Sequence, residues 1–289
     1  MLNGLTMLSD QELQDLVRRA LAEDVGEADV TTLATIPQVA WSRAQVVARE
    51  PLVVSGLALL QATFHCRSPL VEIRLRVADG VRVEAGQTIA SIQGPAHAIL
   101  SGERVALNFL QRLSGVATLT ARFVAAVDGT RSRILDTRKT TPGLRAVEKW
   151  AVRCGGGQNH RFGLFDMVLI KDNHLAALRD ALPNPIAAAV SRARETVPNL
   201  RVEVEADIFE EVGQAVAAGA DRVLLDNMSL ADLRSAVQRV AGRIETEASG
   251  GVSLDTVRAI AETGVDFISV GALTHSARAM DIGLDFEES

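Results

Sequence analysis

Hydrophobic positions along this chain keep helical and strand-like spacing in turn, and each predicts its own kind of element. Near the start the spacing is helical: Ser9 with Glu12 three residues on makes a capping box, and Leu13, Leu16, Val17, Ala20 and Leu21 then share one face. From Arg43 to about Ile99 the pattern is mostly strand-like, in AQVVA, LVVSG, VEIRLRV and TIASIQG, with turns at Asp79-Gly80, Ala85-Gly86 and Gly94-Pro95. A helix from Gly56 to His65 interrupts these strands. Ser101 to Ala125 reads as helix again, with a small-residue break at Ser114-Gly115 and with Asn108 and Arg112 on faces whose burial the pattern leaves open.

After Gly129 one unit repeats: a short apolar strand, a charged or glycine-bearing end, and an amphipathic helix. The strand ends are ILDTRK, MVLIKDNH, VEVEAD, RVLLDN, IETEASGG and FISVGA. Such alternation means parallel strands with helices outside, and no GxGxxG opens the series, so a barrel is favoured over a doubly wound sheet. Six strands are legible, short of the roughly eight of a closed barrel. Upstream, DGVRVEAGQTIASIQG resembles half of a biotinyl- or lipoyl-type β-sandwich, but the lysine that such carriers modify is missing.

Composition narrows the function classes. The 289 residues are 47% hydrophobic and 23% charged, ordinary for a globular protein with one large barrel or two domains. A formal net charge of -6 argues against nucleic acid or an acidic membrane as partner, so any anion binding must be local. Cys66 and Cys154 are two and far apart, which fits a reducing compartment, by default the cytoplasm, and no CxxC or Cys/His metal spacing occurs. The opening MLNGLTMLSDQELQ reads as a start of fold rather than a secretory leader, and no window approaches a membrane span.

Candidate chemistry gathers at the strand ends, where α/β barrels keep it. The chain has only three lysines, Lys139, Lys149 and Lys171, and arginine supplies the other 27 of its 30 basic residues. Arg138, Lys139, His160, Arg161 and Lys171 stand around the glycine triplet 155–157; planar arginine forks mixed with compact lysine charges suit a ligand bearing several anionic groups. Glu205 and Asp226 end neighbouring strands, where hard carboxylate oxygens could hold Mg²⁺ against a phosphate-rich ligand or simply pair with the lysines. Ser249-Gly250-Gly251 and Val270-Gly271-Ala272 each follow a late strand and are expected to open a helix, a habitual phosphate site, with His275 near the second. Cys154 beside the glycine triplet is not expected to be a nucleophile, because nothing in sequence supplies an oriented base and its orienting partner. The triplet is expected to let a loop lie flat against ligand, with His160 as acid, base or aromatic wall.

These segments together, TRKTTPGLR, GGGQNHR, IKDNH, VEVE, LLDN, EASGG and SVGALTHS, in this order, resemble the quinolinate phosphoribosyltransferase family. Upstream, EDVGEADVTT, EPLVVSGL and SGERVALNFLQRLSGVATLT match as well; the family's usual GDxTT stands here as Ala28-Asp29-Val30-Thr31-Thr32. The resemblance implies an α/β protein with an N-terminal α/β sandwich domain, residues 1–115 with 277–289 returning to it, and a C-terminal open, incomplete α/β barrel, residues 116–276. It implies transfer of phosphoribose from 5-phosphoribosyl 1-diphosphate to quinolinate, with loss of diphosphate and then carbon dioxide, leaving nicotinate mononucleotide for NAD biosynthesis. By carry-over, Arg138, His160, Arg161 and Lys171, with Arg104 donated across a homodimer interface, would hold the two carboxylates of quinolinate, with Thr137 in the same substrate site. Lys139, Glu205 and Asp226 would handle diphosphate and Mg²⁺, and Ser249, Gly250, Gly251 and Gly271, flanked by Val270, Ala272 and His275, the 5-phosphate.

Two alternatives stay open. One is a paralogous phosphoribosyltransferase acting on nicotinate or another ring acid; several arginines favour a dianion. The other is a non-catalytic phosphate-binding barrel or carrier-like module, against which the missing carrier lysine and the matched acids and bases both speak.

Overall fold

The structure, a computed structural model, describes residues 8–287; the reading of the first seven residues lies outside them. Two compact units form. The first runs to Ala121 and takes in Thr141–Gly156 and the chain from Ser276; the second is Arg122–Thr140 with Gly157–His275.

The first unit holds α1 (Asp10–Val25), α2 (Val30–Thr35), β1 (Trp41–Ala48), β2 (Leu52–Val53), α3 (Leu57–Arg67), β3 (Glu72–Leu75), β4 (Arg82–Val83), β5 (Thr88–Pro95), most of α4 (Ala96–Ala126), α5 (Arg145–Cys154) and the late strand β12 (Ile282–Phe286). The predicted capping box starts α1: the Glu12 amide donates to Ser9 Oγ at 3.3 Å and the Ser9 amide to the Glu12 carboxylate at 2.8 Å, while Leu16, Val17 and Leu21 turn inward. Four antiparallel strands lie in the order β12-β1-β5-β3, and β2 pairs with β4 apart from them. Val46, Ile89, Ile92 and Ile282 from this sheet pack with Leu60, Phe64, Ile99 and Leu110 from α3 and α4 in a hydrophobic core.

Helix α4 runs unbroken for 31 residues, so Ser114-Gly115 is no break. A Cβ at Gly115 would lie 1.8 Å from the Arg278 carbonyl oxygen, and that close approach of backbone to backbone is what glycine permits. The first glycine of the triplet serves packing as well: a Cβ at Gly155 would sit 2.4 Å from the Ala117 carbonyl oxygen, so this glycine lets the end of α5 pack closely on α4.

The second unit contains all six predicted strands: β6 (Arg133–Leu135), β7 (Val168–Ile170), α6 (Asp172–Ala176), α7 (Pro185–Thr196), β8 (Val202–Ala206), α8 (Phe209–Ala217), β9 (Arg222–Asp226), α9 (Leu230–Val240), β10 (Glu245–Ser249), α10 (Val257–Ala261), β11 (Phe267–Ser269) and α11 (Ala272–His275). The strands are parallel in the order β6-β11-β10-β9-β8-β7, an open sheet that does not close into a barrel. Val202, Val204, Val223, Leu225 and Ala248 take alternate positions and are buried, as expected under flanking helices. The intervening positions carry Glu203, Glu205, Arg222, Asp226, Glu247 and Ser249, so the opposite face of the sheet is polar.

Candidate active site

On that polar face the carboxyl ends of the strands surround a cavity of about 450 Å³ lined by Thr137, Arg138, Lys139, His160, Arg161, Leu169, Lys171, Glu205, Leu224, Asp226, Glu247, Ser249 and Ser269. Most of the cationic, carboxylate and hydroxyl residues read from the sequence therefore meet in one place. Arg104 does not; it is exposed on α4 in the first unit. Gly250, Gly251, Val270, Gly271, Ala272 and His275 are not among the lining residues.

The electrostatics describe a site prepared for anions. Burial first, and then the like charge of Arg138, hold the Arg161 guanidinium below its ordinary value. Lys171 Nζ meets the Glu205 carboxylate, the pairing that the simpler reading of Glu205 foresees. Asp226 instead accepts from Asn227 Nδ2 at 2.7 Å. Asn227 has φ +53°, rare for a residue with a side chain, and a Cβ on Gly250 would come within 2.1 Å of Asn227 Oδ1, so the two turns fit only with glycine at 250.

The phosphate-type loops differ from expectation in one respect. Gly250 and Gly251 have φ of +97° and +58°, yet five residues separate them from α10, and α11 is a single turn of four residues. The helix-dipole argument therefore weakens, and backbone amides and hydroxyls must carry any phosphate contact. Gly271 serves a close approach: a Cβ there would meet Lys139 Cδ at 3.0 Å and His275 Nε2 at 3.2 Å. Thr274 Oγ1 donates to the Lys139 carbonyl at 2.7 Å, fastening the strand end that bears Lys139 to this loop.

Beneath the cavity, with Glu247 reaching its lining, lies a buried cluster that the sequence reading missed. Glu203 and Glu247 are both fully buried, and His160 Nε2 lies 2.9 Å from Glu203 Oε2 and 3.5 Å from Glu247 Oε2. Arg222 Nη1 reaches Glu247 Oε2 at 2.8 Å, and its guanidinium carbon lies 4.1 Å from the Phe267 ring centroid. Burial raises both acids, Glu247 to about 7, with the charge of Glu203 as its second cause. The available signal was the repeat of acid at every second position in VEVE and ETE, inside strands that a buried parallel sheet would fill with apolar residues.

Two cation sites can be weighed. His160, Glu203 and Glu247 offer ligand atoms within 4.8 Å of one another, but Arg222 and the imidazole already occupy these carboxylates, which suits an ion-pair network better than a metal. Glu205 and Asp226 line the cavity itself, with Glu205 Oε2 engaged by Lys171 and Asp226 Oδ2 by Asn227; hard carboxylates there fit Mg²⁺ completed by ligand oxygens. Cys154 is buried, with its thiol pushed up to about 12 by burial, which supports the reading that it is no nucleophile. Among the described residues no helix is long and apolar enough to cross a membrane.

Comparison with known proteins agrees along nearly the whole chain. The profile of the quinolinate phosphoribosyl transferase N-terminal domain matches residues 29–114, and that of the C-terminal domain residues 116–285. The chain is 44% identical over 290 residues to the nicotinate-nucleotide pyrophosphorylase [carboxylating] of Mycobacterium leprae (strain TN), covering 96% of this chain and 100% of that protein. It is 42% identical over 275 residues to the probable nicotinate-nucleotide pyrophosphorylase [carboxylating] of Bacillus subtilis (strain 168), covering 95% and 93%. The solved structure of the nicotinate-nucleotide pyrophosphorylase from Francisella tularensis superposes with a TM-score of 0.92 at 38% identity, covering 99% of each chain.

Proposed function

The chain belongs to the quinolinate phosphoribosyltransferase family, and from that membership we propose how its own residues divide the work. The enzyme joins quinolinate to 5-phosphoribosyl 1-diphosphate, releasing diphosphate and then carbon dioxide to leave nicotinate mononucleotide, a step of NAD biosynthesis. Arg138 and Arg161 carry the reading of the acceptor subsite: two guanidiniums that repel each other within one cavity are stabilised by a dianion lying between them. Lys171 and Thr137 complete that subsite, with His160 as its wall. Leu169 and Leu224 offer apolar surface to the ring and keep water from it.

Lys139, exposed at the β6 end beside Gly271, neutralises the departing diphosphate. Glu205 and Asp226 would hold Mg²⁺ together with diphosphate oxygens, and the ion when bound supplies Lewis-acid neutralisation of the leaving group. Ser249, Gly250, Gly251, Val270, Gly271, Ala272 and His275 form the 5-phosphate side. Once the ring nitrogen is quaternised, its positive charge stabilises the electron pair that the departing carbon dioxide leaves at the neighbouring ring carbon until a proton from water takes that place, so the arginines and leucines need mainly position the ring and limit its solvation. Arg104, exposed on α4, is assigned to the partner subunit's site in a homodimer, and two unpaired thiols suit a cytoplasmic enzyme.

The test measures diphosphate and carbon dioxide release from quinolinate, 5-phosphoribosyl 1-diphosphate and Mg²⁺, beside nicotinate as the rival acid. Release of both products with quinolinate alone is expected, whereas turnover of nicotinate alone would overturn the acceptor. Arg161→Ala should lower kcat/KM for quinolinate about 100-fold, or roughly 2.7 kcal/mol.

A further inference from the structure

Both ring nitrogens of His160 are used by the protein. The Arg161 amide donates to Nδ1 at 2.7 Å, so Nδ1 carries no proton, and Nε2 is left to donate to Glu203 Oε2 at 2.9 Å. The same segment is pinned from the other side, where the His160 amide donates to Asp136 Oδ1 at 2.9 Å and Asn159 Nδ2 to Asp136 Oδ2 at 2.6 Å. Asp136 is fully buried at the end of β6. Arg161 is the next residue, and it lines the cavity.

We propose that Glu203 and Glu247 are positioning residues for the acceptor subsite: they hold the His160 imidazole in its Nε2–H form, turned toward the floor, and thereby fix the backbone from which Arg161 reaches a substrate carboxylate. Glu203 is the acceptor and Glu247 the second wall, held in turn by Arg222. This arrangement costs stability. Glu203 and Glu247 each keep Oε1 buried with no hydrogen-bond partner, a state that native cores rarely tolerate away from a functional site. An apolar pair on these strands would fill the same volume more cheaply, but it would leave the imidazole free to rotate and exchange tautomers.

The inference rests on the acceptor subsite proposed above, and one series of measurements separates the two. Long-range ¹H–¹⁵N spectra of the unsubstituted enzyme should show His160 protonated at Nε2 alone; an Nδ1–H or doubly protonated ring would overturn the positioning role without any substitution. Glu203→Leu, which removes the acceptor, should raise KM for quinolinate about tenfold while KM for 5-phosphoribosyl 1-diphosphate holds, and should mix the tautomers. Glu203→Gln, which keeps an acceptor oxygen, should recover most of that loss. Equal rises in both KM values, or no rise in either, would overturn the role. Arg161→Ala run alongside decides the underlying reading: if that variant binds quinolinate as the unsubstituted enzyme does, the subsite itself is wrong, whereas its loss beside a silent Glu203→Leu condemns the positioning role alone.

Discussion

Glu247 shows how one buried side chain ties stability to pH. Its neighbours are Glu203 on β8, Arg222 on β9, Ser269 on β11 and the His160 imidazole, and burial with the Glu203 charge pushes it up to about 7 against the pull of Arg222. An unfolded glutamate titrates near about 4.3, so between about pH 4.3 and 7 the folded chain keeps a proton that the unfolded chain has lost. Stability from this group is therefore complete below that window and declines as pH rises through it. Thermal denaturation should give a Tm that falls from about pH 5 to 7.5, and Glu247→Gln, which cannot titrate, should flatten that fall. Equal slopes for the two proteins would mean that Glu247 is already ionised at the lower end.

At the level of elements, α4 and the parallel strands show what a sequence discloses and what it withholds. Periodicity located the capping box of α1, the six parallel strands and the polar strand ends, because each is a local consequence of pleat or helical pitch. It did not disclose Gly115, which in a helix looks like a break but answers to a carbonyl from residue 278, far along the chain. Nor did it disclose Glu203 and Glu247: alternation says which face they take, but only the tertiary fold brings the 158–161 segment across that face. Gly115→Ala should lower stability by about 2 kcal/mol or more, since a methyl 1.8 Å from a carbonyl oxygen forces either α4 or the 278 segment to move. Denaturant unfolding measures this, and a change under about 0.5 kcal/mol would mean that the segment yields freely.

For the whole molecule, the assignment of Arg104 to a partner's site has a consequence that no single chain can show. Arg104→Ala and Lys139→Ala should each be nearly inactive alone. Mixed and reassembled, they should recover about a quarter of the normal activity, because half of the dimers would pair the two variants and rebuild one intact site. No recovery on mixing, with exchange confirmed, would place Arg104 in its own chain's site or in none.

The strand that completes the first unit's sheet comes from far along the sequence. Residues 282–286 pair with Ala44–Ala48, so β1 keeps one open edge for as long as this distant segment has not docked. Until it docks, that unpaired edge is a template on which the strand of a neighbouring copy could pair instead.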